Sequence, residues 1–125
     1  MTEAEAQEFA QEWIAAWNSR DLDSILRHYS EDVEVTSPLM EAVLGPGRVT
    51  VRGKEAARAY WGPALAHYPD LRFVLFRAYA GARSVVLHYQ SVQGLIAAEC
   101  MELDDEGRVR RVLAHYALGR DPAAA

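Results

Sequence analysis

One carboxylate stands where a chain of this kind rarely spends one. Glu99 sits at the centre of Leu95-Ile96-Ala97-Ala98-Glu99-Cys100-Met101, an otherwise apolar strand-like run. Turned inward, such a group loses its hydration, and the charged form suffers most, so its pKa rises and it can act as a general acid. Turned outward, it would sit at a dimer interface or pair with an arginine such as Arg77 or Arg111. Two histidine-tyrosine pairs, His88-Tyr89 and His115-Tyr116, lie on other strand-like runs, and histidine titrates near neutrality. Strand parity points Val112, Ala114 and Tyr116 inward and His115 outward. Either His88 or Tyr89 faces in, and both cannot; His88 is carried with Tyr116 as a candidate ligand contact.

Other chemistries lack their signatures. His28, His67, His88 and His115 are scattered with no His-x-x-x-His spacing, so no metal is expected. Glycine-rich phosphate loops and a Gly-x-Ser-x-Gly elbow are missing as well, so no nucleotide cofactor or elbow-type hydrolase is implied. Any catalysis is expected to be cofactor-free acid–base work. The lone Cys100 cannot form an internal disulfide and reads as a small buried residue.

The elements that must position these groups follow from periodicity. Phe9, Trp13, Ile14 and Trp17 recur at three- and four-residue steps, with Thr2 and Glu5 as a capping box, which predicts a helix to about Ser19. Asp21 caps a shorter helix through Leu22, Ile25, Leu26 and Tyr29. A strand over Val33–Ser37 then stops at Pro38, at the sheet's edge or beginning. Residues 38–52 hold the turn Gly45-Pro46-Gly47 among apolar residues, which predicts a loop folded over a pocket mouth or a second subunit. Lys54–Tyr68 reads as a helix that Pro63 should kink or restart. Strands over Leu71–Tyr79, Ser84–Val92, Leu95–Leu103 and Val109–Leu118, joined by tight turns, predict an antiparallel meander.

Bulk properties bound the partners. The 125 residues suit one domain, taken as residues 1–119 with a frayed tail over 120–125. A net charge of −5 gives no general attraction for phosphate backbones or anionic lipid, so neither nucleic acid nor membrane is an expected partner. The small Arg108, Arg110 and Arg111 cluster follows an acidic turn and reads as a solvated hairpin. No apolar run approaches the ~20 residues that span a bilayer, and the acidic start is wrong for a secretory signal, which predicts a cytoplasmic protein.

With this order of elements, the motifs Trp17-Asn18-x-x-Asp21-Leu22, His28-Tyr29-Ser30-Glu31-Asp32-Val33, Arg52-Gly53-Lys54-Glu55-Ala56 and Asp104-Asp105-Glu106-Gly107-Arg108-Val109 give a resemblance. The chain resembles the nuclear transport factor 2-like superfamily, in its SnoaL-like branch with the ketosteroid isomerases and polyketide cyclases. The resemblance implies an α+β fold: a cone-shaped, cystatin-like roll of about three N-terminal helices packed on a strongly curved, mostly antiparallel sheet. It also places Ser37 where the isomerases keep a general-base aspartate, Trp13 where they keep an oxyanion-hole tyrosine, and Glu99 where they keep an oxyanion-hole carboxylic acid. A serine hydroxyl cannot take a proton from carbon at neutral pH without a base of its own. Steroid isomerisation is therefore not expected.

Function then divides three ways. A pocket enzyme, an isomerase, cyclase or hydrolase of a hydrophobic ligand, would use Glu99 as acid, with Trp13, Trp17, Ser37, Tyr60, His88 and Tyr116 as candidate ligand contacts. The alternatives are a non-catalytic binding module and a dimerisation domain whose hollow is filled. Val85-Val86-Leu87 is apolar on both parities, which predicts a covered outer face and a homodimer.

Overall fold

The computed structural model describes residues 1–117. Helix α1 (Glu3–Ser19) starts at the predicted capping box: Thr2 accepts from the Glu5 amide, and the Glu5 side chain accepts from the Thr2 amide. Its buried stripe is Ala6, Ala10, Trp13 and Trp17. Two small residues let the helix approach the sheet closely, and two large ones fill the space beyond.

Asp21 caps α2 (Leu22–Leu26), which ends before Tyr29. Tyr29 begins β1 (Tyr29–Thr36) and is not part of the second helix. The reason lies in its hydroxyl, which accepts a buried hydrogen bond from Trp13 Nε1 at 2.8 Å. Periodicity alone could not register that partner.

The sheet has the order β2-β1-β6-β5-β4-β3, with β2 (Thr50–Arg52), β3 (Val74–Ala80), β4 (Ser84–Gln90), β5 (Ile96–Leu103) and β6 (Val109–Tyr116). The last four form the expected antiparallel meander, and β1 joins β6 in parallel. β1 is therefore an inner strand, because the short β2 pairs outside it. Register shifts interrupt the β1–β6, β3–β4 and β5–β6 ladders, and such irregularities bend a sheet.

Between β1 and β2 the chain makes a short 3-10 turn (Pro38–Met40) and a one-turn helix, α3 (Glu41–Leu44). Helix α4 (Lys54–His67) then runs through Pro63 without the predicted restart. Pro63 lacks the amide that would bond to Ala59, but Ala59 is exposed, so water can take that carbonyl. Gly53 begins α4 at φ 91°, a left-handed value that favours glycine, and its amide donates to the Val33 carbonyl at 2.7 Å.

Two side chains tie helices to the rest. Asn18 donates to the Phe73 carbonyl at 2.9 Å and accepts from the Phe73 amide at 2.7 Å. Arg20 donates to the carbonyls of Leu65 and Tyr68, satisfying acceptors at the end of α4. Cys100 is only half-buried, because β5 turns Ala97, Glu99, Met101 and Leu103 inward and leaves Cys100 on the other face. The tail over 120–125 and Leu118 of the last predicted strand lie outside the described residues.

Candidate functional site

The inward faces of β4, β5 and β6 meet the aromatic stripe of α1 and the inner face of α4 around a cavity of about 80 Å3. By comparison, a cavity of roughly 150 Å3 holds benzene. A ligand of this hollow is therefore small, or inserts only one end.

Glu99 lines the cavity and is 6% exposed. The side chain of Tyr89, 1% exposed, donates to Glu99 Oε1 at 2.7 Å. Burial pushes the Glu99 pKa up to about 7, and the Tyr89 bond works against that rise by favouring the carboxylate. Near neutral pH, both protonation states are thus populated. No lysine, arginine or histidine lines the cavity among the described residues, so no cation holds the acid ionised.

Tyr116, Ser37, Tyr60, Trp13 and Trp17 line the same hollow. Burial raises the Tyr116 pKa, with the nearby Glu99 charge adding to the rise and the Ser37 hydroxyl opposing it. Ser37 itself is 5% exposed, and its oxygen accepts from the Leu39 amide at 3.2 Å, which leaves its proton free to donate. The Trp13 indole is occupied by Tyr29, whereas the buried Trp17 Nε1 has no partner among the described residues.

His88 does not belong to this group. β4 buries Val85, Leu87 and Tyr89 in alternation, so His88 points to the opposite face, where its ring lies edge-on to Phe76 at 5.2 Å. Tyr89 takes the inward place. His115 is exposed, as parity predicts.

Phe73, which no sequence pattern singles out, is central to the cavity wall. It stacks on Trp13 at 5.7 Å and 21°, and touches Trp17 and Tyr89 at 5.4 and 5.0 Å. The signal available was Asn18, the residue that grips its backbone, but that pairing spans 55 positions in sequence. Of the apolar 38–52 segment, Leu39 reaches the cavity, while Val43 is 63% exposed. A second, open hollow of about 470 Å3 shares Tyr68, Leu71, Ser91 and Val92 with the first.

Residues 10–121 match the family profile described as SnoaL-like domain. A SnoaL-like protein of unknown function from Burkholderia thailandensis is 44% identical, with 93% of this chain and 97% of that chain covered, at a TM-score of 0.89. Two more distant structures show the fold alone. A protein of unknown function with a cystatin-like fold from Methylobium petroleophilum is 16% identical, covering 98% of this chain and 82% of that one, at a TM-score of 0.74. The epoxide hydrolase/cyclase-like enzyme SalBIII, which has a role in pyran ring formation in the polyether salinomycin, is 17% identical with 93% of each chain covered, at a TM-score of 0.75. No curated protein matches the chain.

Proposed function

Since this chain belongs to the SnoaL-like family, we propose that it is a pocket enzyme in which Glu99 acts as the general acid toward a small hydrophobic molecule bearing an ether, epoxide or carbonyl oxygen. One observation carries the reading: a buried carboxyl, poised near neutrality, borders a cavity whose wall is otherwise aromatic, aliphatic and hydroxylic. A proton from Glu99 activates the ligand oxygen. The carboxylate so formed takes a proton back from the substrate, so an isomerisation or a cyclisation turns over with no net change in the enzyme. The cyclase-like activity named for SalBIII agrees with this class, and the missing carboxylate at Ser37 argues against steroid isomerisation.

The test is a rate profile on a panel of small enones and hydroxy-epoxides. Turnover should fall as pH rises through about 7, because the acid must be protonated, and Glu99→Gln should abolish it. Full turnover in that variant would remove Glu99 from the chemistry. A non-catalytic binding module is the second reading, favoured by the lack of a second carboxyl in the cavity lining among the described residues. It requires binding without turnover across the panel, with Glu99→Gln changing affinity only modestly.

A homodimer accompanies the proposal, supported by Phe76 and Tyr79, 49% and 48% exposed on the edge strand β3. Light scattering at micromolar concentration checks it, and a monomer would contradict it.

A further inference from the structure

Tyr89 and Glu99 reach each other because of sheet register. Tyr89 lies opposite Ala97 in the β4–β5 ladder, and Glu99 lies two residues further along the same face. Such diagonal neighbours are ~7–8 Å apart, close enough for long side chains to meet. The phenol ring has little freedom to leave: Trp13 lies edge-on to it at 5.2 Å and Phe73 packs on it at 5.0 Å. Its hydroxyl is thus held against Oε1 at 2.7 Å, while Oε2 has no hydrogen-bond partner among the described residues.

A protonated carboxyl has one carbonyl oxygen and one hydroxyl oxygen, and the carbonyl oxygen is the better acceptor. We propose that Tyr89 is a positioning residue that, by donating to Oε1, fixes the transferable proton of Glu99 on Oε2. This rests on the reading of Glu99 as the general acid. In the transfer, the Oε2–H bond breaks, its electron pair stays on Oε2, and a new O–H bond forms on the ligand oxygen. The Tyr89 bond then becomes charge-assisted and stabilises the resulting carboxylate. When the substrate returns a proton to Oε2, the starting state is restored.

The direction of the Tyr89–Glu99 bond has an observable sign. The ionisable groups around Glu99 besides Tyr89 are Tyr29 on β1 and Tyr116 on β6, with Tyr60 and Tyr68 lining the cavity from α4 and its end; burial raises the pKa of Tyr29, Tyr116 and Tyr60, so these three stay neutral through the neutral range. If Tyr89 donates, removing its hydroxyl costs the carboxylate its one side-chain donor among the described residues and raises the Glu99 midpoint. If Glu99 instead donates to Tyr89, the same change removes support for the neutral form and lowers the midpoint.

Infrared titration of the protonated carboxyl band, assigned by its disappearance in Glu99→Gln, reads this without any substrate. Tyr89→Phe should move the midpoint up by about one pH unit, a tenfold change in acid dissociation. A midpoint that falls or stays put overturns the proposal. Incorporating 3-fluorotyrosine at position 89 preserves the ring's shape and strengthens the donor, so the midpoint should fall below that of the unmodified protein; no fall also overturns it. Failure of the catalytic reading looks different: Glu99→Gln would keep its turnover while the band still shifted in Tyr89→Phe.

Discussion

Trp13 Nε1 donates to the Tyr29 hydroxyl at 2.8 Å, with both side chains essentially fully buried. The two polar groups satisfy each other inside the core, joining the first helix to the first strand. The indole that the resemblance places at an oxyanion position is therefore unavailable to a ligand without breaking this bond.

Trp13→Phe should accordingly act on stability first. It removes packing volume and leaves the Tyr29 oxygen without its donor, for an expected loss of about 2–4 kcal/mol. In Trp13→Phe/Tyr29→Phe the hydroxyl is gone too, so the double variant should be more stable than the sum of the single losses by about 1 kcal/mol. Urea unfolding at constant slope measures this, and strict additivity would show that the bond contributes nothing.

Glu99 should give the fold a distinct pH dependence. Its ordinary pKa of 4.5 rises to about 7 in the folded chain, so between those values the folded state holds a proton that the unfolded state has lost. The contribution is fully present below about pH 4.5 and is lost as pH rises through about 7. At about 1.4 kcal/mol per unit, the decline is on the order of 3 kcal/mol. Glu99→Gln should remove this component, becoming relatively more stable above neutrality. Chemical denaturation from pH 4 to 9 compares the two slopes, and identical slopes would contradict a raised pKa.

The Asn18 clamp makes a third prediction, because one amide serves both the carbonyl and the amide of Phe73. Asn18→Ala should cost about 1–3 kcal/mol and leave two backbone groups unpaired. Asn18→Asp keeps the acceptor and loses the donor, so it should not restore full stability. Equal stability of Asn18→Asp and the parent would show that the Phe73 carbonyl needs no partner.

These contacts also show why some of the molecule was legible in sequence and some was not. Local signals were sufficient for the Thr2–Glu5 capping box, the Asp21 cap and the meander, since caps and tight turns are decided within a few residues. Parity alone turned Tyr116 inward and His115 outward, and left His88 and Tyr89 unresolved. The choice of Tyr89 depends on Glu99, Trp13 and Phe73, which come from other elements. Tyr29 departs from its helical spacing for the same reason: a tyrosine in step with a helix becomes a strand residue once a distant indole supplies its partner. The size of the hollow was beyond any pattern, because it depends on how completely Trp13, Trp17, Phe73 and Tyr89 fill the space between layers.

That same aromatic wall supplies a direct assay for ligand entry. The chain has 3 tryptophans, and Trp13, Trp17 and Trp61 all line the cavity, so its intrinsic fluorescence has no tryptophan background from elsewhere. A small cyclic enone that enters should change the emission saturably. Ala114 also lines the cavity and is only half-buried, so Ala114→Leu can project its added carbons into the hollow. It should weaken the fluorescence response at least tenfold, a loss of about 1.4 kcal/mol in binding, while unfolding shifts by no more than the ~1–3 kcal/mol of an overpacked site. An undiminished response in a folded Ala114→Leu protein would place the ligand outside this cavity.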